Sequence, residues 1–139
     1  MYAVIRLRGS IDMEREFLDT FRFLRLHRKM HCVVLNKNES VDGMLQKVKD
    51  WITWGEIDEE ILRQLIDKRG RKLGDKRLTK EEAEKIFQEF KKGQKADIKP
   101  VFRLTPPSKG FKKSLKQHFP KGELGYRGKE INELLKRMI

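Results

Sequence analysis

Cys32-Val33-Val34-Leu35 is an unbroken apolar run, entered directly from the polar, basic turn His27-Arg28-Lys29. Successive strand residues point to opposite faces, so a strand apolar at every position needs cover on both sides. The neighbouring segments are built to pack against such a strand. Phe17, Phe21 and Leu24 fall at i, i+4 and i+7, one helical stripe, with Arg15, Arg22 and Arg25 off it and expected to face outward. Val41, Met44, Leu45, Val48 and Ile52 make a second stripe, with Ser40 as the expected N-cap after the turn cluster Asn36-Lys37-Asn38-Glu39.

Two further strands complete the first part of the chain. Ala3, Ile5 and Leu7 alternate with Val4, Arg6 and Arg8, which predicts a half-buried strand ended by Gly9-Ser10. Thr53-Trp54-Gly55-Glu56-Ile57 reads as a third strand, its glycine expected at a bend or bulge. Residues 1–57 therefore read as a β-α-β-α-β core of the α+β class, with Cys32, Trp51 and Trp54 as core or sheet residues.

Residues 58–139 read as a mostly helical, basic C-terminal extension. Asp58-Glu59-Glu60 suits a helix N-terminus, and the apolar Ile61, Leu62, Leu65 and Ile66 place a helix over about 58–68. Thr79 and Glu82 have capping-box spacing ahead of Ala83, Ile86, Phe87 and Phe90, which predicts a helix over 80–92 stopped by Gly93. Val101 to Leu104 is a candidate short edge strand between Pro100 and Pro106-Pro107, within an otherwise basic loop expected over 99–128. Ile131, Leu134, Leu135 and Met138 predict a last helix at 129–138.

Charge separates the two parts. The first 57 residues hold ten basic and eight acidic side chains, and the remainder 23 and 13. Most of the net +12 thus lies in the extension, and an excess of that size points to a polyanionic partner. No run approaches the roughly 18 apolar residues of a membrane span. The opening Met1-Tyr2-Ala3-Val4-Ile5-Arg6-Leu7 carries an arginine and reads as a strand rather than a secretory leader. A single cysteine rules out an internal disulfide and fits a reducing compartment.

Three basic groups are candidates for phosphate contact. Arg8, Arg22, Arg25, His27, Arg28 and Lys29 surround one end of the first helix; macrodipole relief accounts for one or two of them, not six. Lys68 to Lys80, with Arg71, Lys72, Lys76 and Arg77, is a cationic linker whose Gly70 and Gly74 permit close backbone approach; a solvated interhelical loop is the competing reading. Between Lys99 and Lys129 lie nine cations and one acid, Glu123, so this stretch repels itself until phosphates neutralise it. Lys109, Lys112, Lys113, Lys116, Arg127 and Lys129 are the candidates there, and Lys47 is added from the second helix. Phe111, His118, Phe119 and Tyr126, interleaved with these cations, either stack on unpaired bases or pack inward.

Catalytic patterns are weak. His27, His31 and Cys32 fall short of the four ligands of a closed zinc site, and His31 and Cys32 are adjacent, so they point to opposite faces of a strand. Gly122, Gly125 and Gly128 before Lys129 lack the P-loop spacing, and Glu130 follows where Ser or Thr is required. Neither a metal nor a cofactor is expected, and no residue is assigned as catalytic.

The strand Tyr2 to Arg8, the run Leu24 to Val34, the helix opening Gly43-Met44-Leu45-Gln46-Lys47-Val48 and the step Ile52 to Asp58 resemble the universal large-subunit ribosomal protein family numbered thirty in bacteria and seven in eukaryotes. The Trp54-Gly55-Glu56-Ile57-Asp58 step and the long extension resemble its archaeal form. The resemblance implies part of a ferredoxin-like fold. It also implies a structural, non-catalytic ribosomal protein, monomeric in the cytoplasmic ribosome, that contacts large-subunit ribosomal RNA and neighbouring ribosomal proteins. Bacterial forms begin the basic turn one residue earlier with Arg-Lys, where this chain has His27. The competing assignment from the residues is an extraribosomal RNA- or DNA-binding module, a chaperone or a compaction protein.

Overall fold

The computed structural model describes residues 1–94 and 98–139. Strands β1 (Tyr2–Arg6), β2 (His31–Leu35) and β3 (Ile52–Glu56) form the centre of one sheet, with α1 (Arg15–Leu24) and α2 (Glu39–Lys47) as their connections. The extension adds α3 (Glu59–Arg69), α4 (Lys80–Lys91), β4 (Val101–Arg103), β5 (Ser114–His118), β6 (Gly122–Tyr126) and α5 (Ile131–Met138). Strand order is β4-β2-β1-β3-β6-β5. The first four strands pair antiparallel, β6 runs parallel to β3, and β5 lies at the far edge with an irregular register. The class is α+β.

The sheet is covered on both faces, as the Cys32–Leu35 run requires. One core joins Val4, Val33, Ile52 and Trp54 to Phe21 and Leu24 of α1 and Val41 and Leu45 of α2. The other joins Ala3, Ile5 and Cys32 to apolar residues of α3, α4 and α5. The extension is thus the second cover of the sheet, and its strands β4 and β6 widen that sheet on both sides. Trp54 is buried in the sheet, and Trp51 packs against Phe17 with ring centres 4.9 Å apart.

This double cover corrects the reading of β1 as half-buried. Val4 and Arg6, on the face expected to be wet, are buried as fully as Ala3 and Ile5. Arg6 is 2% exposed, and its guanidinium donates to the carbonyls of Leu26 (2.7 Å) and Arg8 (2.9 Å) and to the Ser10 hydroxyl. The ring of Phe21 lies 4.2 Å beneath it. Five guanidinium donors make such burial tolerable when loop carbonyls surround it.

Local details follow the same logic. Asn38, not Ser40, caps α2, accepting from the Val41 N–H at 2.8 Å. The capping box of Thr79 and Glu82 forms at α4, and Gly93 stops that helix with a φ of +73°. Gly55 lies within a regular strand rather than at a bend; a Cβ there would overlap the carbonyl of Gly128 and come within 3.0 Å of Ile131 Cβ. Close packing of the 3-10 turn Gly128–Glu130 and α5 against β3 is what demands the glycine.

Within the expected basic loop over 99–128 the candidate edge strand forms as β4, while β5 and β6 correct the loop reading of the rest. Gly122 and Gly125 make β6 look like loop in sequence. Gly122 is required because a side chain there would collide with the Gln117 carbonyl of β5. The last helix starts at Ile131, after the 3-10 turn.

Candidate nucleic-acid interface

The register defines two ends of the sheet. At one, β1 and β4 finish while β2 and β3 begin, because Ile5 pairs with Cys32, Arg6 with Ile52 and His31 with Arg103. Backbone bonds knit this end together: Met30 N–H to Arg6 O (2.7 Å), Leu104 N–H to Met30 O (3.0 Å) and Leu7 N–H to Trp51 O (2.9 Å). The turn His27-Arg28-Lys29 and Arg8 are exposed here, and Arg8 donates to the Asp50 carbonyl at 3.3 Å. None of Arg8, Arg28 and Lys29 makes an ion pair among the described residues.

His31 reports the local field. Its imidazole is held below the ordinary histidine range first by burial, then by the positive charges of Arg103, Arg28 and His27. Its Nδ1 is buried without a hydrogen-bond partner. A place where several cations crowd one another suits an anionic ligand.

The cationic linker is a tight hairpin. Arg71 bridges Arg77, Lys72 N–H donates to Lys76 O at 2.8 Å, and Gly74 and Asp75 adopt positive φ at its tip. Lys76 and Arg77 are exposed, Arg71 is half-buried, and Lys72 is committed to the Glu82 carboxylate. Asp75 gathers Lys99 (2.7 Å) and Arg103 (3.3 Å), and those cations hold its carboxyl below the usual range, Lys99 most strongly. Arg103 of β4 in turn stands opposite His31 of β2 in the strand register. The hairpin and the His27–Lys29 turn are therefore neighbours, although more than forty residues of sequence separate them.

The third basic group borders α5 and β6. Ser108 N–H donates to Arg137 O at 3.0 Å, and Arg137 donates back to Ser108 O, fixing the loop that carries Lys109. Lys112, Lys113 and Lys116 are exposed, with Lys113 Nζ 4.6 Å from the Phe119 ring centre. Phe111 packs against the core, which favours the inward reading for that ring. His118 ties the edge strand β5 to the first part of the chain through Asp50 at 2.7 Å.

Five candidates are placed differently. Arg127 is buried, bonded to Glu123 (2.8 Å) and to the Thr53 hydroxyl (2.7 Å), so it is internal and unavailable to a ligand. Lys129 lies on the 3-10 turn at the opposite end of the sheet, where its carbonyl accepts from Asn132. Lys47 is engaged by Glu16 at 2.7 Å. Arg25 caps α1 in a left-handed conformation and reaches the groove beside Val34 and Pro100, with Arg22 exposed one turn before it.

Sequence reasoning did not single out Lys49 or Arg137, which lie near the same end as Arg69 and Arg103. Their shared signal is position at the finish of a helix or strand. α2, α3 and α5 each begin at the opposite end with acids in the first turn and finish here with cations in the last. That arrangement suits each macrodipole and polarises the molecule from an acidic end to a basic one.

Among the described residues nothing resembles a reactive centre. Burial pushes the Cys32 thiol up to about 12, far from a usable thiolate. Among the described residues no group of three His, Cys, Asp or Glu is placed to hold a metal.

Residues 2–52 match the family described as ribosomal protein L30p/L7e. Similar full-length proteins include large ribosomal subunit protein uL30 of Nanoarchaeum equitans, 48% identical over 100% of this chain and 99% of that protein. The protein of that name from Staphylothermus marinus is 47% identical, covering 100% and 98%, and that from Archaeoglobus fulgidus is 44% identical, covering 99% of each.

Proposed function

The chain belongs to the ribosomal protein L30p/L7e family, and from that premise we propose that its basic end binds large-subunit ribosomal RNA. Its role is that of a structural component of the large ribosomal subunit in the cytoplasm, not of an enzyme. The RNA-facing surface comprises the turn His27-Arg28-Lys29, Arg8, Arg103 and the hairpin cations Arg71, Lys76 and Arg77, continued by Lys109, Lys112, Lys113 and Lys116. The remaining contacts are with neighbouring ribosomal proteins, and the chain acts as a monomer within the subunit.

One observation supports this reading above the others: Asp75 links Arg103 and Lys99, while Arg103 stands opposite His31 in the strand register, so two distant basic segments share one surface. Exposed arginines and lysines on a braced sheet end meet phosphates without first having to be ordered.

Purified chain mixed with large subunits lacking it is expected to co-sediment through a moderate-salt sucrose gradient. Its affinity for folded ribosomal RNA should fall with log salt at a slope of about −0.9 per phosphate neutralised. Free sedimentation, or affinity indifferent to salt, would overturn the assignment.

A further inference from the structure

The acidic end of the sheet carries a small aromatic hollow that RNA binding leaves unused. Tyr2, Trp54 and Tyr126 line it with Asp42 and Gln46, around a shallow, open volume of about 350 Å³. The Tyr2 and Tyr126 rings meet edge to face at 6.4 Å, and the Trp54 ring lies 6.0 Å from Tyr126. Tyr126 is 47% exposed, an unusual position for a large ring on a sheet otherwise covered by helices. Its hydroxyl donates to Glu56 at 2.9 Å, which brings a second carboxylate to the rim.

Aromatic faces beside carboxylates are built to hold a cation: the ring quadrupoles and the formal charges attract the same ligand. The molecule already demonstrates this chemistry. Lys37 places its ammonium 5.2 Å over the Tyr2 ring while pairing with Glu56 at 2.7 Å. Lys37 is about half exposed and pairs with Glu56; Asp42 is exposed beside the Tyr2 hydroxyl and makes no ion pair among the described residues. Phosphate is the wrong partner here, because Asp42 and Glu56 repel it.

We propose that this hollow is a docking site for an arginine side chain presented by a basic segment of another protein. A guanidinium stacks on an exposed ring and bonds a carboxylate in one pose, which fits Tyr126 beside Asp42 and Glu56 better than a compact ammonium does. The site is distinct from the basic end and stands whether or not that end binds RNA.

The test is titration of the full chain with the peptide acetyl-Gly-Arg-Gly-Arg-Gly-amide, followed by the amide and indole resonances. A citrulline-substituted peptide of the same shape is the neutral control. The arginine peptide is expected to shift Trp54 and the residues around Asp42, and to bind at least fivefold more tightly than the citrulline peptide. Asp42→Asn, a conservative surface change, should weaken it at least threefold. Lys37→Ala should strengthen it by removing the resident cation, while Lys49→Ala, an equal charge change elsewhere, should not. Equal binding of the two peptides, shifts centred elsewhere, or identical effects of the two lysine variants would overturn the proposal.

Discussion

Arg127 and Glu123 form a buried ion pair at 2.8 Å, with both side chains almost wholly removed from water. The Arg127 guanidinium also bonds the Thr53 hydroxyl, and Glu123 accepts the Lys113 N–H, so the pair joins β6 to β3 and to the basic loop. Such a pair costs desolvation to form, yet breaking it strands a charge in the interior. Arg127→Met is therefore expected to destabilise the fold by about 3–5 kcal/mol in urea denaturation. The double variant with Glu123→Leu should recover much of that loss.

Gly55 offers a steric test of how α5 meets the sheet. Its missing side chain makes room for the Gly128 carbonyl and Ile131. Gly55→Ala should lower stability by at least about 2 kcal/mol, because backbone must move to admit the methyl group. An unchanged melting temperature would mean that the 3-10 turn does not pack on β3.

His31 makes acid stability depend on the basic end. Burial and the neighbouring arginines lower its folded-state value below the ordinary 6.5. As pH falls, the unfolded chain takes up the proton first, so this contribution is intact above about 6.5 and lost below it. Thermal melts between pH 7 and pH 5 should show a smaller decline for His31→Gln than for the parent chain.

Arg28 and Lys29 are exposed and unpaired among the described residues, so reversing them should leave the fold untouched. Arg28→Glu with Lys29→Glu is expected to melt within about 1 kcal/mol of the parent, yet to lose tenfold or more in affinity for folded ribosomal RNA. Substituting Lys129, at the opposite end, should cost far less.

Much of the fold was legible in residue pattern. Cys32 to Leu35 demanded two covering layers and has them, and Thr79 with Glu82 marked a helix start to the residue. The strand β6 was hidden because Gly122 and Gly125 weaken β-propensity, while their necessity comes from neighbours that local sequence does not show. Arg6 and Arg127 look like surface residues in any window of sequence. Only the tertiary partners, the Leu26 carbonyl for one and the Thr53 hydroxyl for the other, make their burial tolerable. The basic segments themselves were visible. Their union through Asp75, Arg103 and His31 was not, because it depends on β4 crossing to the edge of β2.

The basic end is the face proposed to meet RNA. Crosslinking the chain within intact large subunits, then sequencing the attached nucleotides, tests this directly. Adducts should concentrate at Arg28, Lys29, Lys76 and Arg77, on nucleotides of the large-subunit RNA. Crosslinks confined to the Tyr126 end, or basic residues attached only to protein, would contradict it.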